Sequence, residues 1–308
     1  MSVKRKIYKS GFLHICQKTA DNGILFYLAT DILVFFTVLS VKAIAFDVEV
    51  FAIDFMFNHL HVGARCRDSS KVASFMNSTT SVFARLYNKR YNLRGQLFKK
   101  PFNSSPKMNE SKIRDCLFYI WNNPKEKKAV ELAEEYRWNF LRYLDSNHPY
   151  SKPIDMTTAS ENLLKSIRTI ETKRRAGEYL NYAFFDDAFK SLDKAEQQQL
   201  IDHIIVSYNV IRRDALMEMF GSYQTILTAV NAVTGNEYGM PDDYDDEDYR
   251  NYLKMIKIAR REGVDFDHER FNRGYFEGKE ELLGRLRRSF KSEAGASDYE
   301  IAKFLHLL

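Results

Sequence analysis

The alternation of apolar and polar positions divides this chain into two unlike halves. In the first half, short runs of period two alternate with longer runs of period three to four. Residues 11–18 read as a strand and the apolar run at about 29–45 as a helix. Residues 48–57 and 59–65 read as two further strands. Val72, Phe75, Met76, Thr79, Phe83, Leu86 and Tyr87 are spaced for one face of a helix over about 69–91. The turn residues Asn92 and Gly95 then introduce a strand at about 95–103. A last helix runs from Asn109, a suitable N-cap, to Asn123, where Pro124 is expected to stop it. This β-α-β-β-α-β-α order predicts an α+β fold, a ferredoxin-like sheet with one added helix and helices covering one sheet face.

The second half reads as mainly helical. Leu163, Leu164, Ile167 and Ile170 suit one helix. Leu200, Ile201, Ile204, Ile205, Val210 and Ile211 suit another, and Ile226 to Val233 a third. The acidic stretch Gly239 to Tyr249 lacks the glycine and glutamate spacing of an EF-hand and reads as a solvated loop or linker. After the basic run Arg285 to Lys291, Ser297 can cap a final helix, which we expect to pack against the rest of its domain. The division expected is a domain over 1–150 and a helical accessory domain over 151–308.

Residues 24–46 are apolar enough to raise a membrane span. Asp31 and Lys42 interrupt them and leave ten uncharged residues, Ile32 to Val41, about half of what a crossing helix requires. A buried helix on a sheet is the expectation, with no membrane and no signal peptide. Cys16, Cys66 and Cys116 are odd in number and lack C-x-x-C spacing, which points to reduced thiols in a cytoplasmic protein.

Charge sharpens the contrast between the halves. Residues 1–150 carry 23 Lys and Arg against 13 Asp and Glu, whereas residues 151–308 carry 23 against 28. A basic first half suits a phosphate-rich partner. Between Arg85 and Lys107, base and ring alternate in the manner of single-strand grooves. Lys89, Arg90, Arg94, Lys99, Lys100 and Lys107 are the candidate DNA contacts, while the spacing of Phe83, Leu86 and Tyr87 places those side chains in the core.

Candidate chemistry lies at two places. His59 and His61, two apart in a strand, present both imidazoles on one face and can clamp a divalent metal. The same spacing also occurs in strands with no ligand role. Tyr119 and Asn123, four apart, share a helical face beside the apolar stripe of Ile113, Cys116, Leu117 and Ile120. A tyrosine there suits either a cleft or the core.

Five blocks in order resemble a known family. They are Gly11-Phe-Leu-His-Ile-Cys-Gln-Lys18; Phe55-Met-Phe-Asn-His-Leu-His-Val-Gly63; Phe83 through Gly95-Gln-Leu-Phe98; Cys116-Leu-Phe-Tyr-Ile-Trp-Asn-Asn-Pro124; and Glu134-Glu-Tyr-Arg-Trp-Asn139. Together, over about residues 7–145, they are similar to the single-tyrosine HUH transposases, the REP-associated tyrosine transposase group in particular. Two positions depart from the family pattern: Phe57 stands where a proline is usual, and Pro101 where an arginine is often found. Lys99, Lys100 and Lys107 are nearby cations.

The resemblance implies that Tyr119 is a nucleophile and that His59, His61 and Asn123 hold Mg²⁺ or Mn²⁺. It implies an enzyme that cleaves and rejoins single-stranded DNA beside hairpins through a 5′-phosphotyrosine, working as a monomer or homodimer. A phenol ionises only near pH ~10, so the nucleophile needs help in losing its proton, and no general base stands out in the motif. The alternative is a domesticated, non-catalytic binder of DNA hairpins acting as a regulator. A binder has no need of all four residues together.

Overall fold

The computed structural model describes residues 11–232, 248–272 and 274–308; most of the acidic stretch, Gly239 to Glu247, lies outside them. Four strands form one antiparallel sheet: β1 (Gly11–Lys18), β2 (Glu49–Phe55), β3 (His59–Cys66) and β4 (Asn103–Lys107), in the order β2-β3-β1-β4. Helices α1 (Ala29–Ala45) and α2 (Ser69–Arg90) pack together beside the sheet. Helix α3 (Glu110–Glu126) packs over β2 and β3.

The register decides which residues share the face under α3. Asp54 pairs with His61, and His61 with Cys16. Lys18 lies opposite His59, and His14 opposite Gly63. Directly opposed residues project from the same side of a sheet, so Asp54, His61, Cys16, His59, Lys18 and His14 line one face. Gly63 lets α3 come close. A Cβ there would meet Phe12 Cζ at 2.9 Å, and Ile120 and Leu117 of α3 at 3.3 Å.

In the first half of the chain, two element boundaries differ from the expectation. The fourth strand is not at 95–103. That stretch makes one isolated bridge, Phe98 to Thr19, and the ladder to β1 forms only after Pro101. Proline cannot donate to a ladder, and β4 is a polar edge strand, Asn-Ser-Ser-Pro-Lys, with no apolar alternation to mark it. Helix α3 also continues past Pro124 to Glu126. A proline in the last turn removes a single intrahelical bond, and Lys127 N–H closes the end on Asn123 O at 3.0 Å. Asn109 does cap the helix, accepting from Lys112 N–H at 2.9 Å.

The 24–46 run is a buried helix with Phe35, Phe36, Val38 and Leu39 fully enclosed. No helix among the described residues is long and apolar enough to cross a membrane. Cys16, Cys66 and Cys116 are buried thiols.

The later helices are α4 (Glu161–Arg175), α5 (Tyr182–Ser191), α6 (Lys194–Ser207), α7 (Arg213–Phe220), α8 (Tyr223–Ala232), α9 (Tyr249–Arg261), α10 (Glu280–Ser289) and α11 (Asp298–Phe304). Val210 and Ile211 do not continue α6, which ends at Ser207; Ile211 instead bridges Val50 of β2. Side chains from α4 to α8 enter the same core as the sheet and α1. A second core joins Ile24, Tyr27, Met56 and Phe57 to α9, α10 and α11. The two parts are further tied by a buried ion pair. Arg270 Nη2 donates to Asp31 Oδ2 at 2.7 Å, while Tyr91 and Tyr182 hydroxyls donate to Asp31 Oδ1 at 2.9 and 3.0 Å.

Candidate active site

His59, His61, Tyr119 and Asn123 line one polar cavity of about 170 Å³. Strand β3 supplies the first two, on the face its pleat turns toward α3. Helix α3 supplies the others from successive turns, and its extension past Pro124 adds Lys127 one turn further along the same face. The imidazole centroids of His59 and His61 are 4.8 Å apart, and the Tyr119 ring stands edge-on to His61 at 5.6 Å.

The hydrogen bonds fix how these groups present themselves. Asn58 Nδ2 donates to Asn22 O at 3.3 Å, so its Oδ1 is the acceptor. That oxygen lies 2.7 Å from His59 Nδ1 and receives Tyr249 O–H at 3.0 Å. An amide oxygen only accepts; His59 therefore carries its proton on Nδ1 and holds a lone pair on Nε2. On the other side, His61 Nδ1 lies 2.9 Å from His14 Nε2, the two rings stacked with centroids 5.0 Å apart. Asn123 Nδ2 donates to Asp54 Oδ2 at 3.0 Å.

Burial keeps the imidazoles neutral. It lowers His61 well below the ordinary value, aided by His59 and His14. His59 is lowered by burial and then by Lys18, Lys127 and Lys303. His14 is pushed down to about 3 by burial, with Lys107 adding to it. Burial raises Asp54 well above the carboxylate range, against the hydrogen bond from Asn123.

Among the described residues no group of three or more His, Cys, Asp and Glu is arranged to hold a metal. A metal here would draw on two imidazoles and an amide oxygen. The donors suit one: the imidazoles are neutral, His59 offers Nε2, and Asp54 occupies the Asn123 nitrogen so that the amide can turn its oxygen elsewhere.

Of the candidate DNA contacts, Lys99 lines the cavity. Lys89, Arg90, Arg94, Lys100 and Lys107 are not among its lining residues. Arg94 borders a separate hollow of about 590 Å³ beside Asn92, Gln96 and Phe271. Arg90 binds both oxygens of Asp186, at 2.6 and 2.8 Å, and Asp267 O at 2.8 Å. Lys107 Nζ donates to Ser105 Oγ at 3.3 Å; Lys89 and Lys100 are exposed.

Sequence reasoning missed His14, Asp54, Lys18, Lys127, Tyr249 and Lys303. His14 and Lys18 had a signal, because they alternate with Cys16 on one face of β1. Lys127 had one too, standing four residues beyond Asn123. Tyr249 and Lys303 had none, for they reach the cavity from the far end of the chain. The Glu134–Asn139 block acts beside the site: Tyr136 O–H donates to Phe55 O at 2.7 Å, and Asn139 Nδ2 donates to Trp121 O at 3.1 Å.

No protein-family model matches the chain, and no curated protein does. Among solved structures, the chain is similar to the REP-associated tyrosine transposase bound to a REP hairpin. That similarity is at 14% identity with a TM-score of 0.38, and covers 52% of this chain and 95% of the other.

Proposed function

We propose that this protein is an HUH-type single-tyrosine DNA strand-transferase built on a ferredoxin-like frame. It would cleave and rejoin single-stranded DNA beside hairpins, and residues 1–150 would be its catalytic part. The observation that carries the reading is the shared cavity, in which Tyr119 meets His59, His61 and Asn123 among Lys18, Lys99, Lys127 and Lys303. The five sequence blocks support the same reading.

His59, His61 and Asn123 would hold Mg²⁺ or Mn²⁺. Such an ion polarises a non-bridging phosphate oxygen and offsets charge in the transition state. The chain's own groups do the rest. The lysines draw the phosphate in and hold it. Tyr119 Oη attacks phosphorus, giving up its proton; the P–O3′ bond breaks and the 3′ oxygen leaves with a proton as a hydroxyl. The resulting 5′-phosphotyrosine keeps the energy of the diester, so a second 3′-hydroxyl reverses the step without ATP. The expected place of action is the cytoplasm.

The test is a covalent adduct. Single-stranded oligonucleotides covering hairpins that flank the gene, incubated with protein and Mn²⁺, should yield a denaturation-resistant protein–DNA band. Tyr119→Phe should bind the same DNA and give no band. Tight binding by the wild type without any adduct would instead favour the non-catalytic regulator.

A further inference from the structure

The aromatic rings of this chain are packed away almost throughout. Among the described Phe, Tyr and Trp residues, one ring is exposed, that of Tyr299 at 47%, and the rest are buried or half-buried. Tyr299 also belongs to the wall of the cavity that holds Tyr119. Of the residues lining that cavity, Lys99 and Tyr299 are the exposed ones and mark its mouth, whereas Tyr119, Asn123 and His61 lie deep. A strand whose phosphate reaches Tyr119 therefore passes a cation and a bare ring.

The ring is set in place before anything binds. Tyr299 stands in the first turn of α11, four residues before Lys303, and both side chains line the cavity. Its neighbour Glu300 ties that turn down. The Glu300 carboxylate accepts from Ser297 N–H at 2.7 Å, from Asp248 N–H at 3.1 Å and from Asn251 Nδ2 at 3.2 Å. Lys303 Nζ lies over the Tyr299 ring, 5.5 Å from its centroid, within the range of cation–π attraction. Other rings of the same segment serve its core: Tyr249 and Tyr252 pack edge-on to Phe57, and Tyr252 stacks on Phe304. Tyr299 leaves its area free for contact. A tyrosine offers a broad, rigid surface at small entropic cost, and stacking suits any base, because each has a π-face.

We propose that Tyr299 is a stacking platform for an unpaired base beside the phosphate that enters the cavity. The stack holds the single strand in register at Tyr119, and the segment 248–308 is then part of the DNA-binding surface. The proposal rests on the single-stranded DNA reading given above, and it can fail separately.

The test is made in Tyr119→Phe protein, so that binding is read without chemistry. The probe is a fluorescein-labelled hairpin oligonucleotide with a single-stranded tail, taken from the DNA flanking the gene, and affinity is measured by anisotropy. In a second set of probes one tail base at a time is removed, leaving an abasic sugar. Tyr299→Leu should weaken binding of the intact probe by about 5–100-fold, the range for one lost base stack. The salt slope should not change, because no charge is removed. Tyr299→Trp, which keeps a ring, should bind as the parent does. At one tail position the abasic probe should bind the parent and the Leu variant alike, since the stack is then absent from both. Unchanged affinity in Tyr299→Leu protein would overturn the proposal. So would a loss that every abasic probe shows equally, which is the mark of a merely structural residue. If the Leu loss and its abasic position hold while wild type forms no adduct, the platform stands and the strand-transfer reading falls. Adduct in wild type with no effect at Tyr299 removes the platform alone, and no binding by the parent protein overturns both.

Discussion

Asn123 Nδ2 donates to Asp54 Oδ2 at 3.0 Å, joining the helix that carries Tyr119 to the strand beside the two histidines. Asp54 is fully buried, and its other oxygen makes no hydrogen bond among the described residues. Holding a lone carboxyl there is costly, yet it fixes which end of the Asn123 amide faces the cavity. Asp54→Leu should free that amide to turn and lower metal-dependent adduct formation by about 10–100-fold, the range for partners that orient a ligand. Asp54→Asn, which retains an acceptor oxygen, should lose less. Adduct rates across a Mn²⁺ titration check this; a Leu variant with the wild-type Mn²⁺ response would remove the orienting role.

The histidine pair gives a second prediction. His59→Ala and His61→Ala should each abolish adduct formation, because each removes one of the two imidazoles that would hold the ion. Asn123→Ala should be milder, since a water can replace one neutral oxygen. Full activity of either histidine variant in excess chelator would sink the metal role.

Stability should fall as the solution is acidified from pH 7 to 5. In the unfolded chain histidines take up protons near pH ~6.5. In the folded protein His14, His59 and His61 resist protonation until lower pH, chiefly through burial. The unfolded state therefore binds more protons in this window, and each histidine removes up to about 1.4 kcal/mol per pH unit. Asp54, held protonated by burial, acts with the opposite sign and can offset at most one histidine. Urea unfolding at the two pH values measures the difference; equal stability would contradict the neutral cluster.

The Asp31–Arg270 pair should matter to the whole molecule. Arg270 is buried, lies 3.8 Å over the Tyr91 ring and donates from Nε to Tyr87 Oη at 3.1 Å. Arg270→Met strands the Asp31 carboxylate and should cost about 3–5 kcal/mol. The double variant Asp31→Leu with Arg270→Met should recover much of that loss. Denaturant midpoints decide, and a single variant as stable as wild type would show the pair to be dispensable.

Substrate form supplies the last prediction. Tyr119 is 7% exposed at the wall of a cavity of about 170 Å³, which a backbone reaches only when bent and unpaired. Duplex DNA is stiff on this scale. Cleavage should occur on a single strand beside a folded hairpin and be slight on the same sequence fully paired, with binding that weakens steeply with salt. Equal cleavage of both forms at one salt concentration would point to an ordinary nuclease.

What the sequence determined by itself is what local periodicity controls. A pleat of two puts His59 and His61 on one face, and a turn of 3.6 puts Tyr119 and Asn123 on another. Asn109 and Ser297 cap their helices because a side-chain oxygen can satisfy a free N–H within three residues. Where periodicity is silent, only the tertiary structure decided. The polar edge strand β4 is made by pairing to β1, not by its own pattern. Asp54 and His14 meet the site across sheet registers that the pairing fixes. Lys303 and Tyr249 reach it from the far end of the chain because a second core packs them there. Contacts of that kind depend on which buried surfaces find each other, and no spacing along the chain records it.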